Sequence, residues 1–189
     1  MVLSEELSDE EIARAIQNGK IDQYKIILDR YQAKIIRYTR KFIYNEHDLD
    51  DAVQEIFIRA YENIQSYNSK KKFSPWVFRL AHNHIVNILR KRKFWISVDW
   101  DTFFPHKISR ENPANDYANR EQKTLVEKSL KQLPTKYREP IYLKVFEELS
   151  LSEIADILQI PIGTVGVRIY RAKMLLKTIL TDNGYKKNY

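Results

Sequence analysis

The chain has 189 residues, a formal net charge of +7 from 32 Lys and Arg against 25 Asp and Glu, four His and no Cys. This length suits one large or two small domains, and the lack of Cys excludes disulfides and thiolate metal sites. The His residues lack ligand spacing, the acidic N-terminus does not resemble a signal peptide, and no apolar run approaches membrane-spanning length. We therefore expect a cytoplasmic protein with no metal, no cofactor and no membrane insertion.

Helical periodicity dominates the N-terminal half of the chain. Only four Gly, together with abundant Lys, Glu, Leu and Ile, predict an all-α fold. Ser8 begins a short amphipathic helix that ends near Gly19. A longer helix or helix pair spans 22–44 and carries an aromatic and aliphatic stripe typical of a core.

The helix predicted from Asp48 to Ile64 has an apolar inner face and an acidic outer face. Asp51, Glu55 and Glu62 lie on the outer face, with Ile58 among them. An apolar residue among carboxylates is typical of a protein-docking surface. A solvated acidic face with one exposed Ile is the other interpretation.

The next stretch, 63–93, contains no Asp or Glu and many Lys and Arg, with aromatic residues between them. Ser74 and Pro75 predict a helix start, with Ser as N-cap. Arg79, Asn83, Asn87 and Arg90 form a polar stripe on this helix. Such residues contact phosphates and base edges, and nearby aromatics can stack on unpaired bases. The pattern favours a nucleic-acid surface over an ordinary basic helix.

A linker at 96–118 is predicted to separate an N-terminal domain, 1–95, from a C-terminal domain, 119–189. Pro105 and Pro113 interrupt the helical pattern there. Aromatic residues at and just before the start of this linker suggest that it docks into a partner or forms a flap over the chain's own domain. They are Trp95, Trp100, Phe103 and Phe104.

The C-terminal domain is predicted to contain a helix-turn-helix. A helix over 135–148 includes Pro140, which should kink it or delay its start. Ser150 and Glu153 form a capping box for a short helix, and a turn at 160–163 precedes a last helix, 164–180. The outward positions of that helix are Thr164, Val167, Arg168 and Arg171. A plain helical hairpin is the alternative.

Two long motifs then resemble a known family, the bacterial RNA polymerase sigma factors of the extracytoplasmic-function (ECF) group. DLDDAVQEIFIRAYENI followed by FSPWVFRLAHNHIVNILRKRK is similar to their second domain. LPTKYREPIYLKVFEELSLSEIADILQIPIGTVGVRIYRAKMLLK is similar to their fourth domain. The resemblance covers about 10–93 and 119–181. It implies a non-catalytic factor that binds core RNA polymerase and promoter DNA and helps melt the −10 element.

The resemblance also implies roles for individual residues. The residues expected to bind the β′ clamp helices of the polymerase are Asp51, Gln54, Glu55, Ile58 and Arg59. Those expected at the −10 element are Tyr67, Asn68, Lys70, Lys71, Lys72, Trp76, Arg79, Asn83, Asn87, Arg90, Lys91, Arg92 and Lys93. Those expected at the −35 element are Arg138, Ser152, Thr164, Val167, Arg168 and Arg171. The apolar surface of the last domain would contact the β flap, and the linker would enter the RNA-exit region.

One departure from the family concerns Gly166 and Val167, where polar or charged residues are usual. Gly costs a helix interior about 1 kcal/mol relative to Ala, and neither side chain can hydrogen-bond to a base edge. We expect weakened or altered −35 reading, compensated by the −10 element or another DNA-targeting complex. Whether an anti-sigma factor binds stays open. A stand-alone helix-turn-helix regulator is the alternative function, but it leaves the acidic helix unexplained. No catalytic residue set is present, so an enzyme is not expected.

Overall fold

A computed structural model of the protein describes residues 7–95, 126 and 128–182, with side chains through Lys91 in the first range. All regular secondary structure in these ranges is helical, which confirms the predicted all-α class. Backbone contacts divide the chain into two units, one containing residues 1–96 and the other most of the remainder. The predicted linker, 96–118, lies outside the described residues, so the domain boundaries stay predictions. In the described part, no helix is long and apolar enough to cross a membrane.

Over residues 7–95, the N-terminal unit contains four α-helices. They are α1 (Asp9–Gln17), α2 (Tyr24–Thr39), α3 (Glu46–Glu62) and α4 (Phe73–Trp95), with 3-10 helices at Ile21–Gln23 and Ile64–Ser66. Ser8 and Glu11 form a capping box at the start of α1. Gly19, at φ +90°, adopts the left-handed conformation just after its end. Both helix limits agree with the prediction.

The core of this unit lies between α2, α3 and α4. The predicted stripe of α2 is buried at Ile27, Tyr31, Ile35 and Tyr38. The ring of Tyr38 meets that of Phe78 edge to face, at 5.3 Å between centroids. Tyr61 of α3, which the helical spacing places on the predicted apolar inner face, is an exception. It is 39% exposed and packs against the ring of Tyr24 at 5.1 Å.

Helix α4 begins one residue before the predicted N-cap. Phe73, not Ser74, is its first residue, so Ser74 and Pro75 lie inside the first turn, where Pro is tolerated. The N–H of Phe73 donates to Oε1 of Glu10 at 2.8 Å. A carboxylate from α1 thus satisfies a donor of this turn, where the sequence suggested the hydroxyl of Ser74.

The C-terminal unit contains α5 (Thr135–Val145), α6 (Leu151–Leu158) and α7 (Ile162–Asp182), preceded by helical residues at 128–132. Leu130, Leu133, Ile141 and Ala172 form its apolar cluster. Helix α5 contains Pro140 without a delayed start, and it ends at Val145, earlier than predicted.

Helices α6 and α7 form the predicted helix-turn-helix. Ser150 and Glu153 make the capping box of α6. Gln159 takes the left-handed conformation at its end, φ 56°, and the chain turns through Ile160 and Pro161 into α7. Val165, Ile169 and Ala172 are buried on the inner face of α7.

Candidate docking and nucleic-acid interfaces

The outer face of α3 presents the five residues predicted to bind the polymerase. The inner face of the helix is buried from Leu49 to Ala60 at helical spacing, and this burial fixes the direction of the outer face. The N-cap of α3 is Asn45, whose side chain accepts from the N–H of Asp48 at 3.1 Å. We call Asp51, Gln54, Glu55, Ile58 and Arg59 the α3 surface.

The α3 surface combines charged side chains with one exposed apolar side chain. The side chain of Ile58 is 51% exposed in the interior of α3, one helical turn from Glu55 and from Glu62. Glu55 and Arg59 form an ion pair of 2.8 Å, and Asp51 lies 3.0 Å from the Nδ1 atom of His47. Exposed pairs of this kind contribute little to stability, so these groups remain able to exchange partners on docking.

His84 of α4 affects the charge near this surface. Burial lowers the pKa of its imidazole, and the charge of Arg59 lowers it further, while Glu55 acts in the opposite direction. The lowered pKa favours the uncharged form of the imidazole near neutral pH, and this form does not offset the negative charge of Glu55.

The residues that follow α3 form a short turn rich in Lys, which we call the basic loop (67–72). The N–H of Lys71 donates to the carbonyl of Asn68 at 2.9 Å, and that of Lys70 donates to the side-chain oxygen of Asn68 at 3.0 Å. These bonds define an Asx-supported turn. Asn68, Lys70, Lys71 and Lys72 are exposed on it.

Tyr67 is placed differently from the prediction. Its side chain is only 4% exposed, its ring contacts those of Phe73 and Trp76, and its hydroxyl donates to the carbonyl of Lys71. Burial raises the pKa of this hydroxyl to about 12. The prediction that Tyr67 contacts DNA is corrected, because the ring supports the loop from beneath and has no open face for a base.

The polar stripe of α4 continues from the basic loop. Asn83, Asn87, Arg90 and Lys91 are exposed, and Trp76 and Arg79 are half-buried. The buried positions between them, Val77, Phe78, Ala81 and Ile85, hold the stripe outward. The side chains of Arg92 and Lys93 lie outside the described residues.

Helix α7 presents the four outward residues predicted for the −35 element. Thr164, Val167, Arg168 and Arg171 line an open depression of about 410 Å³. Lys136 and Tyr137 of α5 line it as well, and the Nζ atom of Lys136 lies 5.5 Å from the ring centroid of Tyr137. Neither residue was predicted from the sequence, because nothing in the spacing of α5 shows which of its faces meets α7.

Two further −35 candidates have different surroundings. Ser152 is exposed at the start of α6, with its Oγ 3.0 Å from that of Ser150. Arg138 is only 2% exposed, and its guanidinium donates to the carbonyls of Leu133 and Lys131 at 2.7 and 3.0 Å. The prediction that Arg138 contacts phosphate is corrected, because its donors hold the chain between two helices.

Gly166 and Val167, the two residues that depart from the family pattern, lie on the solvent-facing side of α7. Val167 is 51% exposed. Apart from the helix's own backbone and the two neighbouring residues, no atom of the described residues lies within 4 Å of the position that a Cβ would take at Gly166. Within the described part of the chain, packing therefore does not explain the identity of either residue.

The chain matches two known families in the order of its two units. Residues 27–94 match Sigma-70 region 2, and residues 123–176 match Sigma-70, region 4. The ECF RNA polymerase sigma factor SigW of Bacillus subtilis is 34% identical over 177 residues, which is 89% of this chain and 95% of SigW. The ECF RNA polymerase sigma-E factor of Escherichia coli K12 is 30% identical, covering 90% of this chain and 93% of that protein. The protein thus belongs to the ECF RNA polymerase sigma factors.

Solved structures share the fold. CnrH, in complex with the cytosolic domain of CnrY, superposes with a TM-score of 0.69 at 24% identity, over 93% of this chain and 99% of that one. The sigma factor RpoE of Bartonella quintana, in complex with the anti-sigma factor NepR, gives 0.70 at 22% identity, over 84% and 96%. The family covers both units, whereas a stand-alone helix-turn-helix regulator would account for the C-terminal one alone.

Proposed function

We propose that this protein is a non-catalytic initiation factor that binds core RNA polymerase through the α3 surface and directs it to promoter DNA. One observation carries the proposal. An acidic surface with an exposed Ile58 and an acid-free basic surface occupy consecutive elements of the same compact unit. The first suits a protein partner of opposite charge, and the second suits phosphates.

The DNA-melting step is assigned to the basic loop and α4. The exposed Lys residues of the loop would hold phosphates of an opened strand, and Asn68 with the half-buried Trp76 would meet an unstacked base. The stripe from Arg79 to Lys91 would carry the adjacent strand. Because these contacts are ionic in large part, binding should weaken steeply with salt.

Reading of the −35 element is proposed to be weak. Arg168 and Arg171 can bind phosphates and base edges, but Val167 can at most contact a thymine methyl. Gly166 contributes no side chain at all. Promoter choice would then depend on the −10 element or on a second DNA-targeting complex that brings the factor to its sites.

Further partners follow from the relatives. Structures similar to this chain are complexes with an anti-sigma factor or with the cytosolic domain of CnrY, and we propose an inhibitor of this kind here. The exposed apolar residues of the C-terminal unit, Val145 and Phe146 among them, would contact the β flap. The site of action would be the cytoplasm, where the polymerase works.

The experiment that tests this function is sequencing of transcript 5′ ends. Core polymerase is supplied with this protein and genomic DNA, and the same reaction without the protein is the control. We expect new start sites that share an upstream sequence. Absence of any start site specific to the protein contradicts the proposed function.

A further inference from the structure

Helix α1 precedes the stretch that matches Sigma-70 region 2 and belongs to none of the surfaces described above. Its polar residues Glu10, Arg14 and Gln17 nevertheless contact the segment from Ile64 to Phe73. These contacts lie before, within and after the basic loop.

Gln17 makes the contacts at the beginning of the loop. Its side-chain amide nitrogen donates to the carbonyls of Ile64 and Tyr67, both at 2.7 Å. The side chain of Gln65 donates back to the carbonyl of Gln17 at 3.3 Å. The carbonyl of Ile64 also accepts from the N–H of Tyr67 at 3.1 Å. Losing the Gln17 side chain would remove two hydrogen bonds from a partly buried turn, and the carbonyl of Tyr67 would lose its side-chain donor.

Arg14 and Glu10 contact the loop further along. The Nε of Arg14 lies 3.3 Å from the hydroxyl of Ser69, inside the loop. Glu10 accepts from the N–H of Phe73 at 2.8 Å, where the loop becomes α4. Lys72, the residue before that helix, has no acceptor in its side chain, so the carboxylate of Glu10 takes the place of a local cap.

Helix α1 is itself anchored to α2. Asp9 accepts from Arg30 at 2.7 Å and from the hydroxyl of Tyr31 at 2.6 Å. Arg30 also donates to the carbonyl of Leu7 at 2.9 Å. Because Ile12, Ala13 and Ile16 are buried, α1 is a fixed support and the loop is attached to a rigid element.

We propose that α1 is a positioning helix for base capture. Glu10, Arg14 and Gln17 hold the main chain of 64–73 in the conformation that accepts an unstacked −10 base. They determine base selectivity without touching DNA. This inference rests on the proposed function, because it presumes that the basic loop captures a base. A site held in one geometry discriminates between ligands better than a mobile one.

The test measures binding of the full-length protein to four single-stranded −10 oligonucleotides that differ only at the captured base. Gln17→Ala should bind the preferred oligonucleotide about tenfold more weakly, as the loss of one or two hydrogen bonds implies, and should discriminate several-fold less between bases. Binding to core polymerase should stay unchanged. Simple destabilisation would instead lower binding to all four oligonucleotides by the same factor, which would overturn the proposal.

Further variants separate positioning from misfolding. Glu10→Gln keeps an acceptor for Phe73 and should behave like the wild type, whereas Glu10→Ala should lose selectivity. Arg14→Ala removes only an exposed contact with Ser69 and should lower affinity by about threefold. Gln32→Ala, on the exposed face of α2, is the matched control and should change nothing.

Two results overturn the inference in distinguishable ways. If the wild type discriminates between bases and both Gln17→Ala and Arg14→Ala do so equally well, α1 has no positioning role, while the proposed function stands. If the wild type shows no base preference, base capture by the loop is wrong, and the inference fails with it.

Discussion

Arg138 shows how one residue can belong to the family motif and still serve the fold. A guanidinium on a helix of a DNA-binding unit suggests a phosphate contact. The sequence cannot tell an exposed Arg from a buried one, because the apolar stem of the side chain suits either position. In the structure its hydrogen bonds join α5 to the end of the preceding helix.

Replacing Arg138 tests this structural role. Arg138→Ala should lower the free energy of unfolding of the C-terminal unit by about 2–4 kcal/mol, since it leaves buried carbonyls without donors and opens a cavity. Urea unfolding followed by circular dichroism measures the change. Arg171→Ala, at an exposed position of α7, should be nearly neutral. Unchanged stability of Arg138→Ala with weaker DNA binding would restore the phosphate role.

Tyr67 makes a similar point for the aromatic residues. Their position among Lys and Arg predicted stacking on bases, yet Tyr67, Phe73 and Phe78 are all buried. Their spacing matches the helix core as well as it matches a basic surface, and only packing decides between the two. Of the aromatics among the predicted −10 residues, Trp76 is left half-buried and within reach of a base.

At the scale of helices, local signals predicted most of the fold. The polar run at Ser8 and the capping box at Ser150 marked helix starts, and the apolar period marked the buried faces of α2 and α3. The start of α4 was missed by two residues, Phe73 instead of Pro75, because the acceptor at this helix start, Glu10, is 63 residues away along the chain. Such a cap has no signature in the neighbouring sequence.

Helix α7 offers a test of its own. Gly166 lies inside the helix with open space around it, so Gly166→Ala should raise the free energy of unfolding of the C-terminal unit by about 0.5–1 kcal/mol. Thermal unfolding monitors the effect. Gly19→Ala is the contrasting variant and should destabilise the protein, because Gly19 has φ +90°. A less stable Gly166→Ala would mean that Gly166 has a packing role that the structure does not show.

At the scale of the whole molecule, the proposal of weak −35 reading predicts that the two units contribute unequally to promoter recognition. If α7 reads little sequence, scrambling the −35 element should leave transcription within about twofold of that from the unaltered native promoter. Loss of an optimised base contact would weaken binding by far more than this factor. Scrambling the −10 element of the same promoter should abolish it. In vitro transcription with both templates measures this. A large loss from the −35 change alone contradicts weak reading by α7.

The sequence predicted the composition of the candidate surfaces better than their geometry. Charge segregation along the chain identified the α3 surface and the basic helix, because charge is visible without a fold. The contribution of Lys136 and Tyr137 to the α7 depression, and of α1 to the basic loop, depends on contacts between helices. Those contacts come from tertiary packing, which periodicity alone does not specify.

The central claim is that the α3 surface holds the polymerase, and the double variant Glu55→Lys with Ile58→Ala tests it most directly. The control makes the same two kinds of change outside α3, as Asp29→Lys with Ile21→Ala, both at exposed positions. Affinity for core polymerase is measured by fluorescence anisotropy. We expect a loss of at least about a hundredfold for the α3 variant, because a charge repulsion replaces an attraction and an apolar anchor is removed. The control should bind like the wild type. Equal binding by the α3 variant and the wild type would contradict the account.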